Sequence, residues 1–347
     1  MNNLGKQNLF LRIISLGKQK TFNKIQHIIN RNKILNHRLI FCINSGRSGS
    51  NYLSELLGTA EEVIHYHEPN PKMKGKYLTM INQSDYTKSF AKRKLKVSGI
   101  KDILLQLPDE KIYCETNHLF IKTFFDVVVE DFPKIEVIIL RRYLPKVLKS
   151  FIELGYFSER NSHWKFWMSS PNAATAAIPC IDVDQNLDQW DLSIAYLIDI
   201  EARAKRFQQE YPGINTYEVR LEAFNNFAYV ESLFEKLKIT PTDETKKMYS
   251  QQINQRKGAK KKNTDVEDIS LSYCQERIEQ YIQKARDLNI PIPTTLYKQC
   301  LCVIPVDITS CPVASFVYKI KVTIAENLLP FFQQNLIIQP DMILADN

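Results

Sequence analysis

The 347-residue sequence contains no stretch of about 20 uninterrupted apolar residues, so no membrane-spanning helix is expected. Its N-terminus lacks the short apolar core and small-residue cleavage site of a secretory signal. Cysteine is sparse, with seven residues at 42, 114, 180, 274, 300, 302 and 311. An odd, scattered set is no disulfide framework, and a reducing, cytoplasmic compartment is the expectation. There is no internal repeat and no low-complexity tract, which excludes solenoid and collagen-like architectures. Acidic residues are absent from positions 1–38, where eight basic groups account for the whole net charge of +8. The body of the chain is therefore electrically balanced, and its charge count does not point to nucleic acid.

What is present is ordinary globular composition, 44% apolar, 24% charged and 11% aromatic. In the basic N-terminal segment Leu9, Phe10, Ile13, Ile14, Phe22, Ile25, Ile28 and Ile29 recur at helical spacing. This predicts an amphipathic extension over 1–37, its apolar stripe packed on the body and its charges solvated. Membrane-surface or nucleic-acid binding is the alternative for such a segment.

From residue 38 onward, short apolar runs alternate with helical patterns. Residues 38–43 (RLIFCI), 63–66, 111–114, 136–140 (EVIIL) and 216–221 read as strands. Helices are expected at 48–58, through the basic stretch 71–101, near 120–130, from Pro145 to Leu154, at 192–211 and at 227–237. Alternation of this kind predicts an α/β fold of three layers, α/β/α, with a P-loop-like, roughly five-stranded parallel sheet. Residues 156–190 read as a long loop carrying Trp164 and Trp167, suited to a lid or to core packing. Residues 286–347 form a C-terminal extension, β-rich and proline-punctuated beyond 291, with no assigned role.

The loop after the first strand, Ser45-Gly46-Arg47-Ser48-Gly49-Ser50-Asn51, opens a helix. Unpaired N–H groups and the positive helix end favour an anion there. Gly46 and Gly49 let the backbone close on a phosphate, Arg47 adds a forked cation, and Ser48, Ser50 and Asn51 add donors. No lysine follows Gly49, as the nucleotide-triphosphatase loop requires. The fourth strand ends in Arg141-Arg142, where an acid would hold magnesium. A highly anionic, metal-free ligand suits such a site.

With these features the sequence resembles the sulfotransferase family that uses 3′-phosphoadenosine 5′-phosphosulfate (PAPS). The loop 45–51 is similar to the family's 5′-phosphosulfate loop, with Arg47 where other members carry lysine. Arg142 and Ser150 resemble its 3′-phosphate pair. Val219-Arg220-Leu221-Glu222 with Phe224 resembles its late strand motif. Arg256-Lys257-Gly258 resembles its C-terminal phosphate loop, although Ala259-Lys260-Lys261-Lys262 replaces the usual continuation. The resemblance spans about residues 38–262, within a domain expected over 38–285, and is with the bacterial and small-molecule members.

It implies sulfuryl transfer to a hydroxyl or amine of a small-molecule acceptor, with release of adenosine 3′,5′-bisphosphate (PAP) and no metal. Arg47 would stabilise the leaving oxygen. Two residues compete for the base. Glu68, in His67-Glu68-Pro69, is similar to the glutamate of bacterial and carbohydrate-type members, and His118 stands where small-molecule members carry a histidine. Glu68 is the first choice. The readings set against this one are a magnesium-dependent P-loop kinase and a non-enzymatic adaptor using the basic N-terminal helix. His65 and His67, alternate residues of a strand, could form a metal pair, and Cys300, Cys302 and Cys311 another cluster. No third ligand supports the first, and unpaired cysteines more often serve as small apolar residues. The basic cluster at 88–101 is read as a solvated helix face, or a surface for an anionic acceptor.

Overall fold

A computed structural model describes residues 23–181, 187–249 and 269–300. The strands are β1 (Leu39–Ile43), β2 (Val63–His67), β3 (Ile112–Thr116), β4 (Ile135–Arg141) and β5 (Asn215–Arg220). They form one all-parallel sheet in the order β2-β3-β1-β4-β5. Helix α1 covers 23–36. It is followed by α2 (Ser50–Leu57), α3 (Lys76–Gln83), α4 (Tyr86–Arg93), α5 (Leu95–Gln106), α6 (Phe125–Asp131) and α7 (Leu144–Glu153). Then come α8 (Gln189–Glu210), α9 (Phe227–Lys236), α10 (Asp243–Met248), α11 (Leu271–Asp287) and α12 (Thr295–Cys300). This is the expected three-layer α/β/α arrangement.

The strands are short apolar runs because both faces are covered. Alternation along β1 divides the core. Ile40 and Cys42 join Leu53, Leu56, Leu57, Val219 and Phe234 on one side of the sheet. Leu39, Phe41 and Ile43 join Val137, Leu148, Ile194 and Phe207 on the other. The central strand thus meets α2 and α9 on one face and the α7–α8 layer on the opposite one. β1 lies between β3 and β4, and the chain crosses from the β2 side to the β5 side at this point, so a crevice opens beyond the strand C-termini. Pro145 sits in the first turn of α7, where its missing N–H costs nothing.

Several expectations change. In α1, Ile25, Ile28 and Ile29 are about half exposed, so that part of the stripe does not pack on the body among the described residues. Its C-terminal end is anchored by Ile34 and by Lys33 Nζ donating to Leu105 O. The basic stretch through α4 and α5 is not wholly solvated. Arg93 and Lys96 are fully buried, ion-paired with Asp126 and Glu115. Residues 295–300, expected to be β-like, form a helix because Leu296 is buried while Thr295 and Gln299 donate to Glu201 of α8.

Candidate active site

The loop after β1 turns through three left-handed residues, Gly46 (φ 78°), Arg47 (φ 56°) and Gly49 (φ 93°). Asn44 fixes the turn, its Oδ1 accepting from Gly46 N at 2.9 Å and Ser48 Oγ at 3.2 Å. Gly49 is doubly required. A Cβ there would meet Leu221 Cδ1 at 2.6 Å, and the left-handed backbone excludes most other residues. Among the described residues no protein acceptor takes the N–H groups of residues 47–51, which surround the N-terminus of α2. That is a cradle for an anion.

Arg47, Arg142 and Ser150 converge. Arg47 Nε donates to Ser150 Oγ at 3.1 Å, and Arg142 Nη1 donates to Arg47 O at 2.8 Å. Burial disfavours the charge of Arg142, Arg47 adds repulsion, and Glu222 opposes both. Two guanidinium groups held together attract a multiply charged anion. Glu222 belongs to the late strand motif. Its Oε1 accepts from Tyr143 N at the start of α7, and so holds the helix that carries Ser150. Leu221 packs over Gly49, and Val219 and Phe224 enter the core. Arg141, the other arginine at this strand end, is ion-paired. It binds Glu201 at 2.6 Å and Glu218 at 2.9 Å.

Glu68 and His118 are neighbours rather than distant rivals. Parallel pairing sets His67 beside Thr116, so the two strands end together. His118 Nε2 then stands 3.4 Å from Glu68 Oε1, with His67 Nε2 at 4.0 Å on another side. Glu68 adopts φ 52° immediately before Pro69, a conformation costly for a non-glycine residue. Burial pushes the His118 imidazole well below its usual pKa, Lys122 adds to the effect, and the ring is neutral near pH 7. A Cβ on Gly46 would lie 3.5 Å from His118 Nδ1, so this pair adjoins the anion loop.

Lys122 is the residue that sequence reasoning missed. It is fully buried in the π-helical turn Phe120–Phe124. Its Nζ stands 2.7 Å from Trp167 O, 2.8 Å from His118 Nδ1 and 2.9 Å from Tyr196 Oη. Tyr196 in turn donates to Ser45 O at 2.9 Å. Burial pushes the amine well below its usual range and Glu68 pulls the other way, while the three surrounding acceptors match the three N–H bonds of an ammonium. With Nδ1 accepting from Lys122, His118 carries its proton on Nε2, facing Glu68. The signal was a lysine four residues after His118, inside the apolar run 119–125.

His65 and His67 bond to Ser54 Oγ and Thr116 Oγ1, and no metal-binding group of three His, Cys, Asp or Glu occurs among the described residues. Burial raises the thiol of Cys300 to about 12, as for a packing residue, and Cys302 and Cys311 lie outside the described residues. Arg256, Lys257 and Gly258 also lie outside them. No described helix is long and apolar enough to cross a membrane.

No family model matches the chain, and no curated protein matches it in sequence. Among solved structures it is similar to the sulfotransferase domain from the curacin biosynthetic pathway, with 13% identity over 74% of this chain and 99% of that one, TM-score 0.41. A sulfotransferase from Alicyclobacillus acidocaldarius shows 10% identity over 73% and 95%, TM-score 0.41. Retinol dehydratase in complex with androsterone and the inactive cofactor PAP shows 12% identity over 88% and 83%, TM-score 0.28.

Proposed function

We propose that this protein is a sulfotransferase, moving the sulfuryl group of PAPS to a hydroxyl or amine of a small-molecule acceptor. The observation that carries this reading is the convergence of Arg47, Arg142 and Ser150 beside a glycine-turned loop of free N–H groups. That is a cradle with two anion-binding ends, suited to a nucleotide bearing charge at both its 3′ and 5′ positions. The motif resemblance of the same residues points to the same nucleotide.

In the transfer, an S–O bond forms to the acceptor as the S–O bond to the 5′-phosphate breaks, through a loose, in-line transition state. The N–H groups of residues 47–51 bind the 5′ end. Arg142 and Ser150 hold the 3′-phosphate, and Arg47, which reaches Ser150 from the loop, stabilises charge between the ends. Glu68 takes the proton of the acceptor nucleophile. His118 is the poorer base because Lys122 occupies Nδ1 and Nε2 faces Glu68; it orients the carboxylate instead. The products are a sulfate ester or sulfamate, PAP and a proton.

Thermal denaturation with PAP in a chelator, against ATP with magnesium, tests the class. A ligand at a hundred times its Kd adds about 2.7 kcal/mol of stability, a shift easily read. PAP is expected to raise Tm, and Arg142→Ala and Ser150→Ala to abolish most of the rise. Stabilisation by ATP–magnesium without response to PAP would replace this reading with a kinase. An acceptor screen with radiolabelled donor then follows.

A further inference from the structure

Two segments beside the base pair carry cations and no carboxylate. Residues 69–84 hold Lys72, Lys74 and Lys76 without an acid, and residues 160–181 hold Arg160, Lys165 and His163 without an acid. The fold ties the segments together. Gly75 N donates to Phe166 O at 2.8 Å, and the Phe166 ring lies 3.2 Å from where a Cβ on Gly75 would be. Ser170 N donates to Asn82 Oδ1 at 3.1 Å. Among the described residues Lys72, Lys74, Lys76 and Lys165 have no ion-pair partner. Lys74 and Lys165 lie over rings instead, Lys74 Nζ 4.5 Å from the Trp167 centroid and Lys165 Nζ 5.8 Å from that of Trp164. Phe166 is 50% exposed.

The segment carrying this patch meets the proposed reacting groups through Trp167 and Met168. The carbonyl of Trp167 accepts from Lys122, which holds His118 against Glu68. The next residue, Met168, comes within 3.8 Å of a Cβ position on Gly46. The chain also runs directly from Glu68 to Lys74. We infer that Lys74, Lys165, Phe166 and Trp167 form the acceptor subsite, selecting small acceptors that join a flat apolar body to an anionic group such as a carboxylate or phosphate. The exposed ring of Phe166 takes the body, and the amines of Lys74 and Lys165, which lie over Trp167 and Trp164, take the charge. The inference rests on the proposed sulfuryl transfer only in calling the bound molecule an acceptor.

Calorimetric titration of the full chain, with and without PAP, uses three naphthalene probes: 6-hydroxy-2-naphthoate, 2-naphthol and 6-(aminomethyl)-2-naphthol. The naphthoate is expected to bind at least tenfold more tightly than 2-naphthol, and the cationic probe weakest. The Lys74→Glu/Lys165→Glu variant should reverse the order of the charged probes while PAP affinity stays within twofold. Lys74→Gln/Lys165→Gln, which keeps similar side-chain volume, should erase the anion's advantage. Equal binding of the two charged probes, or an anion preference surviving in the glutamine variant, overturns the inference. So does binding of a heparin octasaccharide with no binding of any naphthalene, which would make the patch a polyanion surface. Charge-selective binding without PAP affinity would refute the sulfuryl reading and keep the subsite; the reverse result would do the opposite.

Discussion

Glu68 is held in a conformation its own chemistry disfavours. A left-handed backbone at a non-glycine residue costs on the order of 1–3 kcal/mol, and the following Pro69 restricts it further. The strain aims the carboxylate between His118 and His67. Replacing it by glycine removes both the strain and the proposed base. Glu68→Gly is therefore expected to raise Tm by a few degrees while turnover falls at least about a hundredfold, the scale of a lost general base. Denaturation curves and initial rates on the same preparation check this, and a variant that loses stability would show that the turn is not strained. Glu68 and His118 are both visible in the sequence as candidates, because each resembles a base position of the sulfotransferase family. Their proximity is not, since adjacency of β2 and β3 is a property of the sheet. Lys122 is hidden for another reason: a lysine in an apolar run is ordinarily one whose stem is covered and whose head reaches water, and here the head is sealed inside.

The elements are coupled through a second buried lysine. Lys96 of α5 pairs with Glu115 of β3 at 2.8 Å and donates to Pro69 O at 3.2 Å. Glu115 also accepts from Tyr113 and Asn117, and Asn117 Oδ1 accepts from Leu119 N in the turn that presents His118. One ammonium therefore fixes both the loop carrying Glu68 and the turn carrying His118. Lys96→Met leaves Glu115 buried without its counter-charge, a change that costs about 3–5 kcal/mol. We expect a corresponding fall in urea midpoint and a drop in kcat with PAP affinity retained, because the anion loop is anchored separately by Asn44 and Tyr196. The double variant Lys96→Met/Glu115→Gln, which buries no lone charge, should recover most of the stability and little of the kcat. Equal recovery of both would make Lys96 merely a stabilising residue. The inward turn of Lys96 and Arg93 was not legible in the basic run 88–101, because charge composition names a face only when the helix boundaries are known. β1 and the helix after it were legible because an apolar run ends in the glycine-bearing loop 45–49, and the other strands because short strand-forming runs alternate with helical patterns.

At the scale of the whole molecule, the buried imidazole gives folding a pH dependence of fixed sign. His118 is depressed well below 6.5 by burial, by Lys122 and by His67. Between its folded pKa and 6.5 the unfolded chain binds the proton and the native chain does not. Through this group stability rises with pH across that window and falls as pH drops below about 6.5, its share being about 1.4 kcal/mol per pH unit at most. The lowered carboxyls of Glu62 and Asp85 lose their contributions chiefly below their ordinary values of 4.5 and 3.8, under pH 5. The depressed amine of Lys122 acts in the same sense as His118, over a range reaching up to 10.5. Urea denaturation of the whole chain at pH 5.0, 5.5, 6.0 and 6.5 is expected to show a rising free energy, and His118→Gln a flatter profile over the same points. Because glutamine keeps a polar group facing both Lys122 and Glu68, the slope rather than the absolute stability is the quantity compared. Parallel slopes in the two proteins would mean that His118 protonates in the native state as readily as in the unfolded one, and that the neutral ring bridging Lys122 and Glu68 is not the native arrangement.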